Sequence, residues 1–427
     1  MRLWAAFTGT ILAAALAILS PVNAASGPDK ILAALKKVPP MEFFIAHGGP
    51  NACGPGCASW IAAEGLIDDG AAERLRHLLD TLGSRKLPVF FYSPGGDTVE
   101  SLAIGRMLRK RGLTAGVAVT VADGCMQSNE IEECSRQMRQ PQPPEAALVT
   151  DNAACNSACV YAILGAASRE IAPTAKLGVH AGYSYLSLAS PEVTQRQRAR
   201  TIQRGQQRIT RDVKAYLAEM GIDRDLFRIA SETKFEAIRY LTRAEVFNLG
   251  IDRRDVADSG WHVSDLRGSS LGSSMLTTLV EKQGAAPTEF RQMALAVSCA
   301  DVRAGSDKDS YKVSIIALVP DPSTDASKTD IRIASNAAEI WLRADSAVRR
   351  QSSNGKTFEN RDGQWPRSLI EKLLLAAPAI SFVDNKPRPD GDVSSDALAT
   401  SATPHQLSGL AAETSLKTLA SRCAQRD

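Results

Sequence analysis

Residues 87–97, LPVFFYSPGGD, decide the fold of the first half of the chain. The apolar run Leu87 to Tyr92 is typical of a buried strand, and the turn SPGG at 93–96 ends it. Residues 99–111 then place apolar side chains on one helical face and basic side chains on the other. A buried strand, a tight turn and an amphipathic helix form the first part of a βαβ unit.

Strand-like and helix-like segments alternate on both sides of this stretch. In chain order we predict strands at 43–46 and 59–62, a helix at 71–82, strands at 113–121 and 147–150, and a helix at 158–167. This alternation predicts the α/β class, with a mainly parallel sheet and right-handed crossovers. The polar residues 122–146, rich in Gln and Pro, are predicted to be an inserted surface segment.

A chain of 427 residues exceeds one comfortable core, so two domains are expected. The first domain is placed at 25–261, and a linker containing two Gly-Ser-Ser triplets at 262–288. Residues 289–427 carry strand-like and helix-like patterns that predict a smaller α+β domain. No catalytic constellation is visible in that second domain.

The N-terminus predicts export. Arg2 is followed by an uncharged stretch from Leu3 to Leu19, then by Ser20-Pro21 and a small-residue cleavage site ending at Ala24. We therefore predict a signal peptide at 1–24 and a periplasmic protein. An uncleaved anchor is the alternative, since about 17 apolar residues nearly span a bilayer. No later segment is long and apolar enough to span, so no membrane contact is expected after cleavage.

The net charge and the cysteine content indicate which ligands and which compartment the protein can have. The formal net charge is only +3, which gives no electrostatic footprint for nucleic acid. Eight cysteines are an even number and suit disulfides in an oxidising compartment, although they allow 105 connectivities. Pairing by proximity is the simplest hypothesis: Cys53 with Cys57, Cys125 with Cys134, Cys155 with Cys159, and Cys299 with Cys423. A zinc site is the rival, but the CxxxC spacings and five histidines disfavour it, and no metal is expected.

Three segments carry candidate chemistry. The paired glycines of SPGGD can turn backbone N–H groups outward, as an oxyanion hole requires. Ser157, in the sequence CNSAC, lies between a predicted strand and a helix, where a hydroxyl is exposed at a helix N-terminus. An N-cap serine is the simpler interpretation of that position. His180 ends the segment PTAKLGVH, and a histidine after an apolar strand is more often a core residue than a base.

Taken together, these segments resemble the Clp protease proteolytic subunit and, more specifically, the exported Clp-protease-like proteins of proteobacteria. The order of SPGG, serine elbow and histidine matches, and Pro173 to His180 matches the family's histidine element position for position. The resemblance covers residues 41–255 and implies a Clp-protease/crotonase-like spiral of βαβ units. Relatives self-associate, which implies a homo-oligomer.

The resemblance assigns roles to residues. It implies that Ser157 is the nucleophile and His180 its general base, with Gly96 N–H and Ala158 N–H as oxyanion donors. The family's catalytic Asp falls on Ile238, so the acid is missing from its register; Glu236 is the nearest substitute, and Asp252 is a further carboxylate out of register. Cys155 or Cys159 is an alternative nucleophile, although an oxidising compartment favours a disulfide there.

These assignments support a serine hydrolase acting on peptides without ATP and without a cofactor. A crotonase-type acyl-CoA enzyme shares the oxyanion hole, but an exported protein would not ordinarily meet coenzyme A, and the Ser–His register would have no role. A binding or assembly module that keeps the fold without activity is the other alternative, and the missing acid favours it.

Overall fold

The structure is a computed structural model that describes residues 28–123, 125, 131–140, 142–182, 194–265, 274–283, 290–300, 309–319, 329–343, 349–353, 356–384 and 404–424. The predicted signal peptide at 1–24 lies outside the described residues, as does part of the predicted insertion. None of the described helices is both long and apolar enough to cross a membrane.

The first half of the chain alternates strands and helices, as the sequence pattern predicts. Its elements are α1 (Pro28–Leu35), β1 (Glu42–His47), β2 (Ser59–Glu64), α2 (Ala71–Leu82), β3 (Val89–Tyr92), α3 (Thr98–Arg111), β4 (Thr114–Val117), β5 (Val119–Ala122), α4 (Ile131–Gln137), β6 (Ala146–Val149), β7 (Ala154–Asn156), α5 (Ala158–Leu164), β8 (Ser168–Glu170), β9 (Lys176–Val179), α6 (Gln195–Glu219), α7 (Asp225–Glu232), β10 (Arg239–Tyr240), α8 (Arg243–Asn248) and β11 (Val256–Asp258).

Local signals explain why α2 and α3 begin and end where they do. Leu75, Leu79 and Leu82 form the buried face of α2, which ends at Gly83 with a positive φ of 60°. Asp97 caps α3 by accepting hydrogen bonds from the N–H groups of Val99 and Glu100 at 2.7 and 3.0 Å.

The mixed α/β class is confirmed, but a mainly parallel sheet is not. One sheet has the strand order β1-β2-β3-β4-β8, in which β1 and β2 are antiparallel and the other neighbours are parallel. In a second sheet, β10-β9-β7, the β7–β9 pair is parallel and the β9–β10 pair antiparallel. The β5–β6 pair is antiparallel. Short connections, such as the residues between β1 and β2, return the chain antiparallel without a crossover helix.

The described residues of the second half form antiparallel strands and two helices. Its elements are β12 (His262–Asp265), β13 (Ser274–Gln283), β14 (Phe290–Cys299), β15 (Ser310–Val319), β16 (Thr329–Ala334), β17 (Glu339–Leu342), β18 (Arg349–Ser353), β19 (Lys356–Pro366), α9 (Arg367–Leu375), β20 (Ala379–Asp384), β21 (His405–Gln406) and α10 (Ala412–Ala424). Strands β11, β13, β14, β15, β19 and β18 form one sheet, with β12 paired to β13; β17, β16, β20 and β21 form another.

The segment 262–288, predicted as a linker, differs in the structure. It contributes β12 and β13 to the large antiparallel sheet, and Leu276 and Val280 are buried in its core. The two strands pair as a hairpin, and most of the Gly-Ser-rich stretch lies between them at 266–273, outside the described residues. The Gly-Ser-rich stretch therefore lies between two paired strands in the sequence. The alternating apolar residues that follow it belong to the second of those strands.

Side-chain hydrogen bonds fix the second half against the first. Ser408 donates to the buried carboxylate of Asp258 through its N–H at 2.8 Å and its hydroxyl at 2.5 Å. Thr414 in α10 donates to Asp123, where the predicted insertion begins. Leu410 packs in a cluster with Trp60 and Phe90 of the first half. Residues 404–424 therefore pack against the first half of the chain and help to hold its first sheet in place.

All eight cysteines form disulfides, in the four pairs expected from proximity: Cys53–Cys57, Cys125–Cys134, Cys155–Cys159 and Cys299–Cys423. Four disulfides fit an oxidising compartment outside the cytoplasm. Cys155 and Cys159 are both bonded, so neither is a free thiol nucleophile in this structure.

Candidate functional site

Ser157 lies on a strained turn between β7 and α5. Its backbone has φ 55° and ψ −124°, a conformation that residues with a Cβ rarely adopt. Such a residue costs about 1–3 kcal/mol and persists only where its surroundings enforce it. A strained strand-to-helix turn is the geometry that exposes the nucleophilic serine in α/β-hydrolases.

The Ser157 side chain does not cap the helix that follows it. Ser157 occupies the N-cap position of α5, but its hydroxyl makes no capping hydrogen bond. The common structural role of such a serine is therefore absent here, and the half-buried hydroxyl remains at the helix N-terminus.

The residues on either side hold this turn in place. The Cys155–Cys159 disulfide joins the strand before Ser157 to the first turn of the helix after it, with 5.3 Å between the two Cα atoms. The Ser157 N–H donates to the Gly178 carbonyl of β9 at 2.7 Å.

The paired glycines of SPGGD lie directly against Ser157. A Cβ on Gly95, which has φ +106°, would stand 2.7 Å from the Ser157 Cβ and 2.7 Å from the Asn156 carbonyl oxygen. Ser93 forms a parallel bridge with Cys155, which aligns the glycine turn with the serine elbow. Glycine is required at position 95 because no side chain fits between the two turns.

The two proposed oxyanion donors come from these two turns. The Gly95 carbonyl accepts from Ile67 N–H at 2.8 Å, and the Asp97 N–H donates to the Ile67 carbonyl at 2.7 Å. The Gly96 N–H belongs to the same trans peptide as the Gly95 carbonyl and points in the opposite direction, so it points away from Ile67. The Ala158 nitrogen begins α5, and the Cβ position of Gly95 is 3.1 Å from it. The site therefore brings the loop of Gly96 next to Ala158.

His180 follows the strand that pairs with the strand before Ser157. Strands β7 and β9 are parallel, with Asn156 opposite Gly178, so their carboxyl ends meet at one edge of the sheet. Neighbouring strands lie about 4.8 Å apart, which puts Ser157 and His180 in the same region. No hydrogen bond joins their side chains among the described residues, although such bonds are often long without substrate and tighten when it binds.

The environment of His180 favours its neutral form. Burial lowers the pKa of its ring below the ordinary value, while the Phe235 backbone and the Glu236 carboxylate partly oppose that shift. Its Nδ1 atom is buried and has no hydrogen-bond partner in the part of the chain that the structure describes. The Phe235 ring packs against it with 5.1 Å between ring centroids. A histidine that stays neutral near pH 7 is able to accept a proton.

The carboxylates predicted near the site have different positions. The antiparallel register of β9 and β10 pairs Val179 with Arg239, so its continuation sets Ile238 opposite His180. Glu236, the substitute acid, is half-buried and close enough for its charge to act on His180, but no hydrogen bond joins them.

Asp252 serves the fold and not this site. Its carboxylate pairs with Arg254 at 2.8 Å and Arg243 at 3.0 Å, and it accepts from Ile171 N–H at 2.8 Å. Burial opposes its ionisation, but these partners outweigh burial and hold the pKa of Asp252 below its usual range.

Sequence reasoning missed two residues of the site. The Asn156 Oδ1 atom is buried without a hydrogen-bond partner among the described residues, and it stands over Gly178, where an added Cβ would overlap it. Asn156 lies inside the serine motif, and the glycine of KLGV precedes His180 by two positions, so both were visible as neighbours of predicted site residues.

Within the described residues, no cluster of three or more His, Cys, Asp or Glu side chains has the arrangement of a metal site.

No protein-family model and no curated protein sequence matches the chain. Among solved structures, an asparagine-to-aspartate mutant of ClpP1 from Listeria monocytogenes is similar over 44% of this chain and 85% of that chain. The sequence identity is 18% and the TM-score is 0.26, and a likeness this weak says nothing about the site.

Proposed function

We propose that this chain is a serine hydrolase of peptides, with Ser157 as nucleophile and His180 as general base. The observation that carries the proposal is the strained backbone of Ser157, held against the Gly95-Gly96 turn with its hydroxyl free of a capping role. Strain of this kind is maintained at functional sites and has no structural use at an ordinary N-cap.

The reaction follows from this arrangement. His180 takes the hydroxyl proton as the Ser157 oxygen attacks the acyl carbon of the substrate, and the carbonyl oxygen becomes an oxyanion. The N–H groups of Gly96 and Ala158 donate to that oxyanion, each donor contributing about 3 kcal/mol in characterised sites. His180 then gives its proton to the leaving amine as the C–N bond breaks, which leaves the acyl group as an ester on Ser157. Water attacks that ester while His180 takes a proton from the water. The Ser157 oxygen then leaves with that proton and the acid product is released.

The disulfides support action outside the cytoplasm, where ATP and cytosolic unfoldases are absent. We propose a periplasmic, ATP-independent enzyme that requires no cofactor and cleaves short or unfolded peptides. Self-association of the chain is part of the same proposal, motivated by its resemblance to oligomeric relatives.

One observation favours a second function, a binding or assembly module without catalysis. An apolar residue, Ile238, takes the position opposite His180, and the buried Nδ1 atom of His180 has no partner among the described residues. A histidine whose Nδ1 atom no carboxylate holds is a weaker base than one that a carboxylate orients.

Fluorophosphonate labelling of the purified protein decides between the two functions. We expect labelling of the wild type and none of Ser157→Ala or His180→Ala, with all three proteins folded by circular dichroism. An unlabelled, folded wild type would leave the binding module as the function.

A further inference from the structure

The Cys53–Cys57 disulfide shows how this chain closes a short covalent loop. It joins residues four apart, and two of the three residues that it encloses have positive φ angles, Gly54 at 118° and Gly56 at 73°. Both are glycines, for which such angles carry no steric penalty. This loop is therefore closed without backbone strain at either position.

The Cys155–Cys159 disulfide closes a loop of the same length that contains no glycine. It encloses Asn156, Ser157 and Ala158, and Ser157 itself has the positive φ of 55°. A glycine would relieve the strain at that position but would remove the hydroxyl. The chain thus carries a hydroxyl at the residue of this loop where a glycine would be least strained.

The disulfide also takes the place of a cap at the start of α5. Ser157 makes no side-chain capping hydrogen bond. Cys159 in the first turn of the helix is instead bonded covalently to Cys155 in the middle of β7. Both cysteines are fully buried, so the bond joins the strand to the helix inside the core. It fixes where the helix begins relative to the strand.

Hydrogen bonds hold the backbone that enters the elbow. Asn156 N–H donates to the Ser93 carbonyl at 3.0 Å, and Ser157 N–H donates to the Gly178 carbonyl at 2.7 Å. Both bonds lie on the N-terminal side of the Ser157 Cα atom. The disulfide reaches across to the C-terminal side, so the strained backbone of Ser157 is held from both directions.

We infer that Cys155–Cys159 is a positioning disulfide, which holds the Ser157 hydroxyl toward the proposed oxyanion donors of Gly96 and Ala158. The inference rests on the proposed function for its part in the reaction, but the constraint on the elbow does not depend on catalysis. A displacement of about 1 Å at a reacting atom can lower a rate about 100-fold. Because both cysteines are buried, substitution tests the bond more directly than a reductant does.

The test compares two pairs of substitutions that each remove a disulfide of the same span. The site pair, Cys155→Ala with Cys159→Ala, should lower the first-order rate of fluorophosphonate labelling at saturating probe by about 100-fold. The probe concentration that gives half of that rate should change little, because positioning affects the reaction and not the binding of the probe. The control pair, Cys53→Ala with Cys57→Ala, should stay within about twofold of the wild type, since Cys53 packs in a different hydrophobic cluster. Urea unfolding gives the folded fraction by which each rate is divided.

A second readout does not depend on catalysis. Hydrogen exchange in a peptide that covers residues 154–161 reports the bonded N–H groups of Ser157 and Val160. We expect exchange there to accelerate by about tenfold in the site pair and to stay unchanged in the control pair. Exchange in α3 should be the same in all three proteins, which distinguishes a local change from a general loss of stability. If the site pair does not fold, Cys155→Val with Cys159→Ala restores volume without the bond and takes its place.

Several outcomes overturn the positioning role: a wild-type labelling rate in the site pair, an equal loss of rate in both pairs, or a loss of rate without faster exchange at the elbow. If the wild type is labelled and the site pair changes neither rate nor exchange, the positioning role fails and the hydrolase stands. If the wild type is not labelled but exchange at the elbow accelerates only in the site pair, the hydrolase fails and the constraint on the elbow stands.

Discussion

Ile238 stands opposite His180 where the antiparallel register of β9 and β10 continues by one residue. Gly178, two residues before His180, also has the Ile238 side chain close to it, because a Cβ there would be 2.6 Å from the Ile238 Cγ2 atom. The position from which a carboxylate would orient His180, the proposed base, thus holds an aliphatic side chain. The resemblance to Clp proteases assigns the acid to this same position.

Ile238→Asp should therefore complete a triad. The new carboxylate raises the pKa of His180 and stabilises its charged form, so fluorophosphonate labelling should accelerate by about tenfold or more. Because Ile238 is 40% exposed, the replacement should cost little stability. Ile238→Asn has nearly the same shape without the charge and serves as the control; equal rates in the two variants would contradict an electrostatic role at this position.

The labelling rate should depend on the protonation of His180. Since burial lowers the pKa of this ring, the neutral form that acts as base persists below the ordinary value of about 6.5. A profile of labelling rate against pH should accordingly reach half of its maximum below pH 6.5. A half-maximum well above pH 6.5 would mean that another group is the base. In Ile238→Asp the half-maximum should move to higher pH.

Gly95→Ala should inactivate Ser157 without unfolding the protein. The added methyl group would press on the Ser157 Cβ and the Asn156 carbonyl, displacing the elbow from the oxyanion donors, and labelling should fall by about 100-fold or more. Gly83→Ala is the matched control, since Gly83 also has a positive φ but nothing lies within 4 Å of its added Cβ. Similar loss of labelling in both variants would show that backbone strain, and not the contact with Ser157, is responsible.

Asp252→Asn tests the assignment of that carboxylate to stability. Removing the buried charge that pairs with Arg243 and Arg254 breaks two ion pairs, while Arg254 keeps its longer contact with Glu170 at 3.8 Å, so the free energy of unfolding should fall by about 3 kcal/mol. The lowered pKa of Asp252 stabilises the wild type above the ordinary pKa of about 3.8, and this contribution is lost as pH falls through the folded-state value. Urea unfolding measures both effects, with the exposed Asp225→Asn as control.

The labelling rate per folded Asp252→Asn molecule should match that of the wild type. A large loss in that normalised rate would return Asp252 to the catalytic site.

Local patterns in the first half of the chain were sufficient to predict two of its helices closely. The helix predicted at 71–82 is Ala71–Leu82, and the one predicted at 99–111 is Thr98–Arg111. Both helices have an apolar face. A residue that commonly ends or begins helices also stands at one end of each: Gly83 after the C-terminus of α2 and the capping Asp97 before the N-terminus of α3. These signals depend only on neighbouring residues, so a single sequence contains them.

Contacts between distant residues were harder to predict. The sequence placed Ser157, His180 and the paired glycines in one site only through a resemblance, because their approach depends on the β7–β9 pairing and the Ser93–Cys155 bridge. The antiparallel β1–β2 pair and the hairpin of β12 with β13 depend on strand partners that apolar periodicity does not specify. A cavity of about 530 Å³ beside the elbow was not predicted, since its walls come from the residues after α1, from β2, β3, β5 and β7, and from the insertion.

The four disulfides differ in how much of the chain must be present before each can form. Three of them join cysteines 4, 9 and 4 residues apart, so each pair can meet before distant parts of the chain have folded. Cys299 and Cys423 are 124 residues apart, and Cys423 belongs to the last described helix. That bond can form only after the 124-residue separation between its cysteines has been closed, and closing a longer loop costs more conformational entropy. Among the eight cysteines, Cys299 consequently has the longest interval in which to mispair before its native partner is within reach.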